Sequence, residues 1–152
     1  MKLAEALQER ADLNRRIEQL RSRIQTNALV QEGEKPAEDP QKLLRELEGC
    51  LDRLEYLMAR INLTNCRSTV EGKTLTELIA RKDALRLRQS AYREIVYAAS
   101  QTTGRARNTE IRILSAVDVA GLQEHSDALA KELRVLDNAI QQANWAVELL
   151  EE

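Results

Sequence analysis

The sequence predicts an all-α protein: four long antiparallel helices in a bundle or extended coiled coil, with a small two-stranded β element at one end. Three observations predict it. The last stretch places Leu122, Ser126, Leu129, Leu133, Leu136, Ile140, Ala143, Val147 and Leu150 at steps alternating between four and three, and only Ser126 is polar. That is an a/d seam sustained over four heptads, the mark of a long helix lying against others. Charged residues make up 32% and aromatics 3%, with no Phe, 5 Gly and 2 Pro, so helix formers dominate and turn and strand formers are scarce. Shorter seams of the same kind recur earlier in the chain. At 152 residues the length suits a single helical domain over 1–152 with a real core.

The elements follow in order, with helices over about 2–25, 40–64, 75–100 and 118–150. The first has the seam Leu3, Ala6, Arg10, Leu13, Ile17, Leu20 and Ile24, with Arg10 the one charged member. Its outer faces carry Glu9, Arg15, Arg16, Glu18, Arg21 and Arg23, which read as a solvated, ion-paired surface. From Thr26 to Asp39 the period breaks into a long connection. Ala28-Leu29-Val30 is expected to tuck against the end of the bundle, and the acidic remainder to be exposed as a candidate contact surface.

Asp39-Pro40 opens the second helix, Asp as N-cap and Pro at the first helical position, where its missing N–H costs nothing. Its main seam reads Leu44, Leu47, Leu51, Leu54, Met58 and Ile61, beside a second stripe of Leu43, Cys50 and Leu57. Two stripes imply burial against more than one neighbour. Thr74-Leu75-Thr76-Glu77 reads as a capping box for the third helix. That helix has the weakest seam: Leu75, Leu78, Lys82, Leu85, Gln89, Tyr92, Val96 and Ala99 include two polar members. Gln101 to Asn108 reads as a turn. Ile111, Ile113, Ser115 and Val117 alternate at period two, the strand-like stretch of the chain. A strand needs a partner, and Arg67 to Glu71 is the candidate. Asp118 or Ser115 then caps the fourth helix.

The residues exclude several functions. The net charge of −2 lacks the basic excess of a dedicated nucleic-acid binder. No apolar run approaches the length of a transmembrane helix, and Met1 to Glu5 shows no signal-peptide pattern, so a cytoplasmic protein without a membrane partner is expected. A di-iron bundle needs Glu-x-x-His on two helices, whereas His125 is the one histidine and Leu122 stands three residues before it. Cys50 and Cys66 fit neither a disulfide framework nor a zinc site and read as buried thiols. No nucleophile elbow or Gly-rich phosphate loop occurs. No catalytic, cofactor-binding or metal-binding residue is therefore assigned, and the protein is read as a non-enzyme.

Two features stand out. Arg81 to Arg88 is the densest basic run, a cluster of Arg81, Lys82, Asp83, Arg86 and Arg88 in which Lys82 falls on the seam and Arg81, Lys82 and Arg88 share one flank. With Arg10, also on a seam, they form a possible polar layer fixing register, or a contact for an anion, a small ligand or an acidic partner. The competing reading is ion pairing with Glu residues of neighbouring helices. Trp145 is either a packed anchor or an exposed interface residue. The leading function is a helical interaction or scaffold protein acting as a homo-oligomer.

The chain also resembles a known family. Met1 to Leu7, Asn27 to Glu34 with Glu38-Asp39-Pro40, Ile61 to Asn65, Leu75-Thr76 with Ala80 to Arg88, Val117 to Ala120 and Ala143-Asn144-Trp145 are similar, in the same order, to a bacterial family of uncharacterised helical proteins often labelled septicolysin-like. The resemblance implies a bacterial, mostly helical protein with no catalytic residues to carry over. The label implies, as an alternative function, a membrane-active cytolysin.

Overall fold

The computed structural model describes residues 1–102 and 111–151. The fold is all-α, with one small antiparallel sheet. In chain order it contains α1 (Leu3–Thr26), α2 (Pro40–Arg67), β1 (Thr69–Val70), β2 (Lys73–Thr74), α3 (Leu75–Ala99) and α4 (Val119–Ala146). The chain divides into two compact units, one of Met1–Thr74 with Gln142–Glu152, the other of Leu75–Gln141.

In the first unit, α1 and α2 lie antiparallel. Leu3, Ala6, Ile17 and Leu20 of α1 are buried together with Leu43, Leu57, Ile61 and Thr64 of α2. Each fully buried leucine contributes about 1.5–3 kcal/mol by leaving water. Three ion pairs run along this helix pair at near-heptad spacing: Arg53 to Glu9 at 2.6 and 2.9 Å, Arg16 to Glu46 at 2.9 Å and Arg23 to Glu38 at 3.0 Å. Such partly exposed pairs set register more than they add stability.

The two stripes expected on α2 exchange roles. Leu43 and Leu57 are buried and Cys50 is half-buried, whereas Leu44, Leu51 and Met58 are exposed, Met58 by 48%. The packed row is the one that continues to Ile61 and Thr64, and α1 covers that side. The connection after α1 also departs from expectation. Leu29 is 90% exposed and Val30 is exposed with it, so Ala28-Leu29-Val30 does not tuck in. Asn27 closes the helix end instead: its Nδ2 donates to the Arg23 carbonyl at 2.9 Å and its Oδ1 accepts from the Glu38 N–H at 3.0 Å. One short amide thereby satisfies both chain directions, and the next three residues are left to solvent.

The caps expected at Asp39 and Asp118 are present. The Asp39 carboxylate accepts from the Gln41 N–H at 3.0 Å with Pro40 at the first helical position. Asp118 accepts from the Gly121 N–H at 3.1 Å, and α3 begins directly after Thr74. The small sheet is present but differently partnered. Val70 pairs with Lys73 and Thr69 with Thr74 across Glu71-Gly72, and both turn residues have positive φ, 50° and 82°. Two left-handed residues make the tight hairpin turn whose twist matches its strands. Among the described residues the sheet has two strands, so the partner of β1 is β2 and not the alternating stretch at Ile111 to Val117. Residues 103–108 of the expected turn, and Thr109-Glu110, lie outside the described residues.

The fourth helix stops at Ala146, short of the expected Leu150. The seam period continues, but backbone pairing competes with it and wins. The Val147 carbonyl accepts from the Leu3 N–H at 2.9 Å, and the Leu149 N–H donates to the Met1 carbonyl at 2.8 Å. The Leu3 N–H is one of the donors a helix start leaves without an intrahelical acceptor, so the last residues cap α1. Leu149 is buried in place of Leu150. The N–H of Leu150 then donates to Thr64 Oγ1 at 3.0 Å, and that hydroxyl itself donates to the Arg60 carbonyl at 2.7 Å. Glu148 forms ion pairs with Lys2 at 2.6 Å and with the amino group of Met1 at 3.3 Å.

Thr64 is therefore a single buried side chain holding α2 to the C-terminal segment. Replacing it by Val keeps the shape and removes both bonds. Thr64→Val is expected to cost about 1–2 kcal/mol, read as a lower urea midpoint at an unchanged m value.

Candidate functional site

The second unit brings α3 and the 119–141 part of α4 together as an antiparallel hairpin. Leu75, Leu78 and Leu85 are buried on α3, and Ser126, Leu129 and Ile140 on α4. Lys82, on the α3 seam, has a side chain only 15% exposed and pairs with Asp137 of α4. A cation so placed must be neutralised, because leaving water without a partner is costly. Arg81 pairs with Glu132, also on α4. The hydrogen bond from Lys82 holds the Asp137 carboxyl below the usual carboxylate range, opposed by desolvation and helped by the charges of Lys82 and Arg86. Asp137 and Glu132 were not singled out in the sequence. The signal that finds them is the complementary sign on the seam flank of the neighbouring helix.

The four members of the possible polar layer are thus placed individually. Arg81 and Lys82 meet α4 carboxylates, Arg88 is exposed on α3, and Arg10 is half-buried on α1 in the first unit. Trp145 is 57% exposed, which favours its reading as an interface residue over a packed anchor. Cys50 is half-buried and Cys66 exposed, so neither is the buried thiol expected.

Further along the hairpin the seam becomes polar on both helices, at Gln89 and Ser126, and there the helices border an open cleft of about 870 Å³. Arg93 and Tyr97 of α3 and Asp127 and Ala130 of α4 also line it. Gln123 donates to Asp127 at 2.9 Å across one turn. Ser126 and Ala130 are the small side chains on the α4 side of this cleft. Beside it, the rings of Tyr92 and His125 meet with centroids 4.6 Å apart and a 60° tilt, a favourable edge-to-face geometry. His125 is exposed. Among the described residues no three His, Cys, Asp or Glu side chains gather as a metal site, and no helix is long and apolar enough to cross a membrane.

Comparison with known proteins gives a fold match and a family, without an activity. The model of a family of unknown function, DUF6847, matches residues 10–149. A crystal structure of a functionally unknown conserved protein from Corynebacterium diphtheriae is similar over 99% of each chain, at 36% identity and a TM-score of 0.91. No curated protein matches.

The Lys82–Asp137 pair makes a quantitative expectation. A double-mutant cycle of Lys82→Met and Asp137→Asn is expected to give a coupling of about 1 kcal/mol, modest because the Asp137 side chain stays 38% exposed. The lowered Asp137 carboxyl sets the sign with pH. Its contribution is present above the ordinary carboxylate range and is lost as pH falls from about 5 through that range into strong acid. Denaturation of the Asp137→Asn variant should therefore show a shallower acid dependence than the parent.

Proposed function

We propose that this chain, which belongs to the family of unknown function DUF6847, is a non-enzymatic helical interaction protein that acts as a homo-oligomer. One observation carries this reading. In the outer half of the α3–α4 hairpin, residues 86–102 and 111–125, no described residue is buried. Yet that half holds Leu87, Tyr92, Ile95, Val96, Tyr97, Leu114 and Leu122, and Leu87, Tyr97 and Leu114 are more than 70% exposed. Ordering a residue costs about 1–2 kcal/mol of backbone entropy, and a helix recovers that chiefly by packing an apolar face. Here the faces exist and their cover does not come from this half of the hairpin. A further protein surface supplies it.

The charge pattern supports the non-enzymatic part. Arg81 and Lys82 are taken up by Glu132 and Asp137, which weakens the alternative of an anion or small-ligand site at Arg81, Lys82 and Arg88. The cleft beyond them is open and lined by polar and apolar side chains together, Val96, Tyr97 and Ala130 among the latter.

Absolute mass by light scattering over a range of concentrations tests the proposal. A mass rising to a defined multiple of the chain is the expected result. A monomer at every concentration, or dye release from liposomes by the purified protein, would overturn it, the latter in favour of a membrane-active role.

A further inference from the structure

We infer that the outward row of α3 is where two copies of this chain meet, the two α3 helices lying side by side in the same direction; the inference rests on the oligomeric role proposed above. Successive residues of a helix turn by roughly 100°, which gives α3 two apolar rows on opposite sides. The inward row, Leu78, Lys82, Leu85, Gln89, Tyr92 and Val96, is buried or half-buried. The outward row is Ala80, Ala84, Leu87, Ala91, Ile95 and Ala98, and every member is exposed. At its middle, Leu87 is 75% exposed and Ile95 45%. A helix apolar on opposite faces is one with neighbours on both. The second neighbour is what the row lacks.

The flanks of the row say which neighbour fits. On one side stands Asp83 and on the other Arg88, both exposed; Glu94, seven residues after Leu87, falls within the row near its end. A row with one acidic and one basic flank complements itself. When two such helices run in the same direction, each Asp83 faces the partner's Arg88, the flank pairing of a parallel coiled coil. The opposite direction would set the acidic flank against the partner's acidic flank and Arg88 near the partner's Arg88, like charge on like. A nucleic acid would call for basic residues on both flanks. The four alanines permit close approach, toward the short end of the 8–10 Å or so between packed helix axes. Leu87 then supplies the one large knob near the centre. The exposed row of α2, at Leu44, Leu51 and Met58, is the competing surface.

Sedimentation equilibrium on the full chain separates these possibilities. Leu87→Glu and Met58→Glu are both made at exposed positions, so the helical circular dichroism should be unchanged. The expected result is a self-associating parent, a Leu87→Glu variant whose dissociation constant rises by roughly tenfold or more, and a Met58→Glu variant that associates like the parent. Loss of association in Met58→Glu with retention in Leu87→Glu would overturn the α3 contact while leaving the oligomeric role intact. A monomeric parent would overturn both. Direction is tested by charge exchange. Asp83→Arg or Arg88→Asp alone should weaken association, and the two together should restore it. Failure of the pair to restore it would overturn the parallel arrangement.

Discussion

An apolar row on a helix has to be covered, and in this chain the number of rows and the number of available covers do not match everywhere. Where they match, the structure is tight. The row from Leu43 through Leu57 to Ile61 and Thr64 meets the α1 row of Leu3, Ala6, Ile17 and Leu20, and all eight are buried. Where they do not, whole rows stand in water: Leu44, Leu51 and Met58 on α2, and the Ala80 to Ala98 row on α3. Surface apolar residues are ordinary when scattered. Rows that keep helical period across several turns are a different observation, and they are what the proposed self-association rests on.

The polar members of the seams have different fates. Lys82 is long enough to cross to α4 and end on Asp137, so the helices stay in register there. Gln89 and Ser126 form no ion pair, and both line the cleft that opens at their level. The same kind of substitution in an apolar period thus produces a joint in one place and a gap in the next.

Much of the architecture was legible in the residues. Local signals survived best: Asp39-Pro40 starts α2 because the cap needs only its own next two residues, and the seams located all four helices. The errors arose where a distant backbone group outbid a local pattern. The apolar period runs through Val147 to Leu150, but the vacant Leu3 N–H and the Met1 carbonyl, over 140 positions away in the chain, claim those residues for a clasp. Choosing between two parallel stripes on α2 likewise required knowing on which side α1 lies. Period two at Ile111 to Val117 looks stronger than the two-residue strands around Glu71-Gly72, yet a tight turn closes at lower entropic cost than a long loop. Of the candidate site, the basic residues were visible but their carboxylate partners were not, since sign complementarity is common and adjacency is a property of the fold.

The clasp between the first and last segments has a consequence for the order of events in folding. The first unit is discontinuous: Met1–Thr74 waits for Gln142–Glu152. On a ribosome emitting about 5–20 residues per second, the intervening Leu75–Gln141 emerges before that partner does. For those seconds Thr64 and Leu3 have no C-terminal segment to bond, and the α1–α2 hairpin must persist on its own local contacts. The later, inserted unit is then free to form first, and closure of the earlier one becomes a long-range step of high contact order. The chain is synthesised from one end, but its first helix pair is finished last.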